Sequence, residues 1–213
     1  MLGPLLFLIY INDLPVSISK TAKSILFTDD TSITVTNENK TEFRYTLQLA
    51  MIEISNWFQS NRLTLNYEKT HLLHFVTKKQ AEIQQQIVIS NTVIKNISNT
   101  RFLGLIIDKT LSWKDHITEI IPKLNKACYI VRTLTFLRSP EVLWMVYFSY
   151  FQSVMSYGII FWGNSHHSVK VFKIQKRIIR IITNSNRYDT CRPLFKQLGI
   201  VYIFSILLFV VKK

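Results

Sequence analysis

The sequence predicts an α+β fold, with an antiparallel sheet and its helices in the first half and only helices in the second. Short runs of β-branched and apolar residues, separated by turn-forming residues, recur between Ser24 and Ile107 and are typical of strands. Beyond Asp108 the apolar residues recur at helical spacing. The chain has 213 residues and is 48% hydrophobic, which is enough for a core in one large or two small domains.

The chain opens with an apolar segment, Leu5 to Leu14, that predicts a buried helix ending near Pro15. The segment Val16 to Lys23 is polar and predicts a connector. The apolar residues have no basic segment before them and run directly into an Asn-Asp pair, so they lack the pattern of a signal peptide.

The two cysteines and the one histidine pair do not form a recognisable metal-binding pattern. Cys128 and Cys191 are far apart and have no clustered histidine partners, which indicates neither a zinc site nor a disulfide framework. The adjacent His166 and His167 would diverge on a helix and are expected in a loop. We therefore expect a reduced, intracellular setting, in the nucleus or the cytoplasm, and not a secreted protein.

The next element is a β-hairpin with two acids at its tip. The segment Ser24 to Val35 reads S-I-L-F-T-D-D-T-S-I-T-V. A turn lets Asp29 and Asp30 project from the same end of the hairpin, where their charges repel each other unless a cation lies between them. Mg²⁺ suits such a pair because it takes few protein carboxylates and shares its other positions with water and phosphate. Asp and Thr are also ordinary turn residues, so a solvated turn is the alternative on spacing alone.

The rest of the first half predicts one helix and several short strands. Apolar residues at helical spacing predict a core-facing helix over Thr41 to Asn61. The candidate strands are Leu63–Leu65, Lys69–Val76, Ile87–Ile89, Thr92–Ile94 and Phe102–Ile107, with a tight turn at Ser90-Asn91.

The second half predicts packed helices. A helix opens at Ser112 and Trp113, and Pro122 is expected to start a new helix because proline is tolerated in a first turn. Leu124 to Leu137 and Pro140 to Tyr157 then predict a packed pair. The stretch Val142 to Val169 has no charged residue, but polar residues are spread through it, so we expect no stable membrane insertion.

The last region has a basic stripe. Lys173, Lys176, Arg177 and Arg180 share one helix face, and the opposite face is apolar. The whole chain carries a net charge of +13 with a pI near 9.8, which favours a polyanionic partner. The stripe suits the phosphates of nucleic acid or an anionic membrane, and a solvated surface is an equal alternative. The apolar end, Ile200 to Val211, is too short to span a bilayer and suggests that both termini are cut.

Several motifs occur in an order typical of one family. They are L-G-P-L-L-F-L-I-Y-I-N-D-L-P from Leu2, F-T-D-D from Phe27, W-F-Q-S-N-R-L-T-L-N-Y-E-K-T from Trp57, F-L-G-L-I-I-D-K-T-L-S-W-K-D-H-I from Phe102, and S-V-M-S-Y-G-I-I-F-W-G-N-S from Ser153. Together they resemble the reverse transcriptase of non-LTR (LINE-like, jockey-type) retrotransposons, over its C-terminal palm and thumb, and nearly the whole chain is covered.

The resemblance implies an RNA-directed DNA polymerase that uses Mg²⁺, an RNA template, a DNA primer and deoxynucleoside triphosphates. It implies that Asp29 is the magnesium ligand and Asp30 its partner, with Thr28 in place of the usual Ala. It implies that Lys69, in L-N-x-x-K-T, acts near the leaving pyrophosphate. Phe102, Leu103 and Gly104 match the hairpin that supports the primer.

The resemblance also implies a division into a partial palm of antiparallel sheet and helices (1–110), an all-α thumb (111–165) and a basic, truncated helical extension (166–213). The family's first palm aspartate and its P-Q-G-S segment do not occur in this sequence. Because two-metal catalysis needs a wider set of ligands, we expect the isolated 213 residues not to polymerise DNA. A nucleic-acid-binding remnant without catalysis and a membrane-associated helical protein are the alternatives.

Overall fold

The computed structural model describes residues 2–28, 30–77, 87–89, 92–137 and 139–203. The chain divides into two compact units. The first unit comprises Met1–Leu72 and Glu82–Ile97, and the second comprises Leu73–Ala81 and Ser98–Lys213. Within the described residues the fold mixes helices with small sheets, which agrees with the predicted α+β class.

The elements up to Ile97 are three helices and five strands among the described residues. In chain order they are α1 (Leu2–Tyr10), α2 (Leu14–Ser17), β1 (Lys23–Phe27), β2 (Asp30–Thr34), α3 (Lys40–Ser60), β3 (His71–Leu73), β4 (Ile87–Ile89) and β5 (Thr92–Ile97). β1 pairs with β2 in a two-stranded sheet, and the other strands form a sheet in the order β3-β5-β4.

The elements from Asn99 onward begin with a hairpin and continue with helices. They are β6 (Asn99–Phe102), β7 (Leu105–Asp108), α4 (Lys114–Leu134), a 3₁₀ turn (Thr135–Leu137), α5 (Pro140–Val146), a π-helical segment (Tyr147–Gln152), α6 (Ser153–Ser156), α7 (Ile159–Trp162), α8 (Ser168–Ile182) and α9 (Cys191–Gln197). β6 and β7 pair only with each other among the described strands.

Helix α3 organises the core of the first unit, as its periodicity predicted. Asn39 caps it, because the Asn39 side chain accepts a hydrogen bond from the backbone N–H of Thr41 at 3.0 Å. The helix buries Ala50, Ile54 and Trp57 against residues of α2 and the turns beside it. Burial of such side chains stabilises the unit by roughly 1.5–3 kcal/mol each for the larger ones.

The β1–β2 hairpin covers that core with one face. Leu26 and Ile33 pack against the α3 cluster, whereas Ile25 and Phe27 are more than half exposed on the other face. The register pairs Phe27 with Asp30 and Ile25 with Ser32. Cross-strand partners share a face, so Asp30 lies on the exposed side of the hairpin.

The larger core lies in the second unit, between α4 and α8. Leu124 and Val131 of α4 and Val171 and Ile178 of α8 are fully buried in one cluster, which also includes Trp162. A second link is polar. The buried Gln175 donates to the carbonyl of Val201 at 3.1 Å and accepts from the N–H of Ile203 at 3.2 Å.

The prediction for Pro122 is wrong. Pro122 lies inside α4, which runs without a break from Lys114 to Leu134. An interior proline costs about 3 kcal/mol because it lacks an N–H donor and crowds the preceding turn. The buried side chains of α4 lie on both sides of Pro122, for example Ile117 and Leu124, so packing holds the two halves in one helix.

The prediction of a buried first helix is also wrong. α1 has no buried residue, ends at Tyr10, and exposes Leu5 and Ile9 by more than half. Pro15 does not end this helix but lies in the first turn of α2. The segment Val16 to Lys23, predicted to be a polar connector, contributes the fully buried side chain of Ile18 to the core.

Two strand predictions are corrected as well. Leu63–Leu65 is not a strand, and the strand predicted over Lys69–Val76 is confined to β3. The strand predicted over Phe102–Ile107 is interrupted: Phe102 ends β6, Leu103 and Gly104 form a turn with positive φ, and Leu105 begins β7. The Ser90-Asn91 turn lies outside the described residues.

Other predictions are confirmed in part. His166 and His167 lie in a turn, and both cysteines are free and buried. The helical pair predicted over 124–137 and 140–157 is present, with a 3₁₀ turn and a π-helical segment in it. Among the described residues, no helix combines the length and apolar character needed to cross a membrane. Of the apolar end, the part beyond Ile203 lies outside the described residues.

Candidate functional site

The acidic hairpin is formed as predicted, although Asp29 lies outside the described residues. Asp30 is the first residue of β2, pairs with Phe27 and is exposed. Thr28 has φ 54°, a left-handed conformation that β-branched residues rarely adopt. Phe27 and Asp30 are therefore separated by a two-residue loop, in which the first residue is strained.

Hydrogen bonds connect two motifs, one that precedes this hairpin in the sequence and one that follows it. The Trp57 indole N–H donates to the Asp13 carboxylate at 3.4 Å, and the Tyr10 hydroxyl donates to the carbonyl of Asn61. Asn61 in turn donates from its side chain to the Trp57 carbonyl at 2.9 Å. The I-Y-I-N-D-L-P and W-F-Q-S-N-R segments therefore hold α2 and the end of α3 together beneath the hairpin.

Lys69 lies at the end of a turn that hydrogen bonds between residues of the L-N-x-x-K-T motif stabilise. The Asn66 carbonyl accepts hydrogen bonds from the N–H and the hydroxyl of Thr70, at 3.0 Å and 2.7 Å. The Asn66 side chain also accepts from the Lys69 N–H at 3.2 Å. Asn66 and Thr70 thus shape the turn, and the Lys69 side chain is exposed.

The predicted primer-supporting residues form the tip of the β6–β7 hairpin. Phe102 pairs with Leu105, and Leu103 and Gly104 form the two-residue loop with φ 46° and 78°. Positive φ at both central positions is the geometry of a type I′ turn, which suits the twist of a hairpin.

A second motif supports this tip from α6. The Tyr157 hydroxyl donates a hydrogen bond to the Leu103 carbonyl. A Cβ on Gly104 would lie 3.3 Å from Cε1 of the same tyrosine ring, and a Cβ on Gly158 would lie 2.7 Å from Cδ2 of Leu105. The S-Y-G segment therefore packs directly against F-L-G-L, which requires glycine at close approach.

The base of the same hairpin is anchored by Asp108. One carboxylate oxygen accepts from the Trp113 N–H at 2.8 Å, and the other accepts from the Thr110 hydroxyl at 2.6 Å and the Ser112 N–H at 3.0 Å. Burial alone would raise the pKa of Asp108, but these hydrogen bonds outweigh it and lower the pKa from 3.8 to about 2. Asp108 is thus a structural anion, which fixes the start of α4.

His116 completes the anchor. Its Nδ1 accepts a hydrogen bond from the backbone N–H of Ile106 at 3.4 Å, and its ring lies near those of Trp113 and Trp162. Burial lowers the pKa of His116, so the neutral imidazole is favoured. The S-W-K-D-H motif therefore joins the hairpin to the helical core.

The four basic residues predicted on one face of α8 do not all line the same surface. Lys173 and Arg177 are exposed and Arg180 is half-buried, and these three line a cleft of about 730 Å³. Lys176 is half-buried, and its ammonium lies 4.3 Å from the centre of the Phe172 ring. The cleft is also lined by Arg132 and Arg187, which the sequence reading did not include.

Within the described ranges no group of three or more His, Cys, Asp or Glu residues is placed to hold a metal ion. The acidic hairpin is the place where the sequence offers hard oxygen ligands for a divalent cation. Asp30 is exposed there, so its carboxylate is accessible to such an ion and the donor chemistry fits.

Sequence reasoning missed the residues that act from a distance. Tyr157 lies 54 residues from Leu103, and Arg132 and Arg187 flank α8 from other segments. Tyr157 and Gly158 belong to a motif that the sequence analysis identified, but the motif does not indicate that these residues contact the β6–β7 hairpin.

An acid-tipped antiparallel hairpin, together with a strongly basic helical region, is typical of metal-dependent nucleic-acid polymerases. The family model described as reverse transcriptase (RNA-dependent DNA polymerase) matches residues 1–107. The chain therefore belongs to the reverse transcriptase family.

Two curated relatives are similar to the chain over nearly its whole length. The probable RNA-directed DNA polymerase from transposon X-element of Drosophila melanogaster is 23% identical over 214 residues, covering 96% of this chain. That from transposon BS of the same organism is 24% identical over 213 residues, covering 94% of this chain. The chain spans 23% of the length of each relative. No solved structure matches the chain.

Proposed function

We propose that residues 1–213 form the part of a non-LTR, jockey-type reverse transcriptase that runs from the second half of the palm through the thumb. The whole protein would transfer nucleotides from deoxynucleoside triphosphates to the 3′-hydroxyl of a DNA primer on an RNA template. The observation that carries the proposal is that F-T-D-D spans the two-residue turn of an antiparallel hairpin, inside the region that matches the family.

Asp29 and Asp30 hold Mg²⁺ in this proposal. The metal, when bound, neutralises charge on the phosphates of the incoming nucleotide and polarises them. The chain's own part is to present two adjacent carboxylates at the turn of the hairpin, where the Phe27–Asp30 pair closes the two strands. The strained φ of Thr28 supports this role, because such strain persists where the surrounding structure imposes a special loop shape.

Lys69 stabilises charge near the leaving pyrophosphate in the same proposal. Its support is local: Asn66 and Thr70 form the turn and leave the lysine side chain exposed. Phe102, Leu103 and Gly104 support the primer strand. The contact between Tyr157 and Leu103 supports that role, because a tip that bears on a strand needs a fixed position.

We assign residues 1–110 to the palm, 111–165 to the thumb and 166–213 to a basic extension that contacts nucleic acid through Lys173, Lys176, Arg177 and Arg180. The family relation and the charge of +13 support an RNA template and DNA primer as partners.

A second candidate is that these residues alone bind nucleic acid without catalysis. Two carboxylates on one hairpin are fewer ligands than a two-metal site uses, since that site clamps both the attacking and the leaving oxygen. The high positive charge is independent of the acids, so binding would persist where chemistry does not.

Primer extension on an RNA template with Mg²⁺ tests the first candidate, in the longest protein that the reading frame through residues 1–213 encodes. We expect extension that is lost on Asp29→Asn or Asp30→Asn and unchanged by Glu38→Gln, an exposed acid outside the hairpin. Extension that survives both substitutions contradicts the assigned site. Absence of extension by the unaltered protein contradicts the enzymatic proposal and favours binding alone.

A further inference from the structure

The cleft beside α8 gathers five cations from three parts of the second unit. Arg132 comes from the last turn of α4, Lys173, Arg177 and Arg180 come from α8, and Arg187 comes from the loop after it. We call these five residues the basic cleft. No acidic side chain is among the described residues that line it.

The five charges are not neutralised within the described part of the chain. The ion pairs there join Glu119 to Arg101 and to Lys123, and none includes a residue of the basic cleft. Like charges gathered in one concave surface repel one another and focus a positive potential. An anion in the cleft removes that repulsion.

Two of the guanidinium groups are already positioned. Arg180 donates from Nε and Nη2 to the carbonyl of Asp189, at 3.1 Å and 2.8 Å. Arg177 donates from Nη1 to the side chain of Asn125 at 3.2 Å. Each guanidinium has five N–H donors, so both retain donors for a ligand while losing little freedom on binding.

The lining chemistry identifies the class of ligand. Sites for drug-sized molecules are mostly apolar, whereas Ser185, Asn184 and Thr135 add further polar groups beside the five cations here. Guanidinium forks match the oxygens of phosphate. A cleft of about 730 Å³, with cations contributed by two helices and a loop, is larger than one phosphate needs.

We propose that the basic cleft binds the sugar-phosphate backbone of a nucleic-acid strand, through contacts to two or more phosphates and without reading its sequence. The proposal rests on the proposed function for the choice of nucleic acid as the ligand. It assigns Arg132 and Arg187 to the interface and divides the α8 stripe, because Lys176 is turned to Phe172 and does not line the cleft.

The test is the salt dependence of binding of the purified chain to a short labelled RNA–DNA hybrid. Arg132→Gln with Arg187→Gln removes two cleft charges, and neither side chain holds the fold through a hydrogen bond among the described residues. Lys170→Gln with Lys196→Gln is the matched control, because both lysines are exposed, belong to the same unit and lie outside the cleft. Thermal melting confirms that both double variants fold.

Each phosphate contact contributes about 0.9 to the slope of log affinity against log salt. We therefore expect the cleft variant to lower the slope by about 2 and, at about 0.1 M salt, the affinity by about eightfold per contact. The control should change both much less. Equal losses in the two variants overturn the proposal, because they indicate only a general positive field.

Two further arms separate other ligands. If inorganic phosphate or pyrophosphate binds the basic cleft without displacing the hybrid, the proposal is overturned. It is also overturned if the cleft substitutions weaken binding to anionic vesicles more than binding to the hybrid. Asp29→Asn with Asp30→Asn should leave hybrid binding intact, because phosphate contacts do not need the acids. A failed cleft test therefore leaves the polymerase proposal standing, and failed primer extension leaves the cleft standing.

Discussion

Replacing Gly158 with alanine tests the contact between the S-Y-G segment and the β6–β7 hairpin. The new Cβ would lie 2.7 Å from Cδ2 and 3.0 Å from Cδ1 of Leu105, a residue only 8% exposed. The backbone at this position also has φ +61°, which disfavours every residue except glycine. The substitution therefore combines backbone strain with overpacking.

The two costs are separable because the chain offers a matched control. Gly199 has φ +62°, belongs to the same unit, and has open space where its Cβ would lie. Gly199→Ala should lower the free energy of unfolding by about 1 kcal/mol through strain alone. Gly158→Ala should lower it by about 2–4 kcal/mol, because overpacking adds about 1–3 kcal/mol.

Urea unfolding followed by tryptophan fluorescence measures this difference, since Trp113, Trp144 and Trp162 all lie in the second unit. Trimming Leu105 to alanine in the Gly158→Ala background should recover part of the overpacking cost, which a double-mutant cycle detects as coupling. Equal destabilisation by the two glycine substitutions, or strict additivity with Leu105→Ala, would refute the proposed contact.

Three further changes test the anchors of the same region. Tyr157→Phe removes the hydroxyl that donates to Leu103 and should cost about 1 kcal/mol, with faster hydrogen exchange at the hairpin tip; unchanged exchange there would count against the contact. Because the pKa of Asp108 is lowered from 3.8 to about 2, its stabilisation of about 2 kcal/mol is present above pH 4 and lost as the pH falls toward 2. Asp108→Asn should thus lower the urea midpoint at pH 7 and flatten its fall in acid, whereas an unaltered acid profile would contradict that role. Pro122→Ala restores a backbone donor inside α4 and should raise the free energy of unfolding by about 1–2 kcal/mol, seen as a higher urea midpoint. A lower midpoint would show that α4 requires the proline.

The local sequence pattern was sufficient to predict the elements that are formed mainly by residues close together in the sequence. The β1–β2 hairpin followed from alternation on both sides of the acid pair, and α3 followed from the helical spacing of its apolar residues. The basic and apolar faces of α8 were predicted in the same way, and the buried Val171 and Ile178 agree with it.

Elements decided by tertiary contacts were not predictable from pattern. α1 is apolar on all sides, so its sequence does not indicate which face is covered. Pro122 has an unfavourable local effect, which packing of α4 on both sides outweighs. The F-L-G turn has a leucine at positive φ, which a strand pattern hides.

The candidate site shows the same division. Asp30, Lys69 and the 102–104 turn were named from motifs, and their proposed roles stay predictions. Arg132 and Arg187 were not named, because a cleft formed by separate segments leaves no periodic signal in any one of them.

Binding of a paramagnetic divalent ion to the hairpin tests the central claim most directly. Mn²⁺ takes the same oxygen ligands as Mg²⁺ and broadens the NMR signals of nearby amides. Our account predicts that low Mn²⁺ broadens the amides of Phe27, Thr28 and Thr31 first, and that Asp29→Asn with Asp30→Asn removes this effect while Glu38→Gln does not. Broadening centred elsewhere, or unchanged by the double substitution, would contradict the assignment of this hairpin as the metal-binding part of a reverse transcriptase.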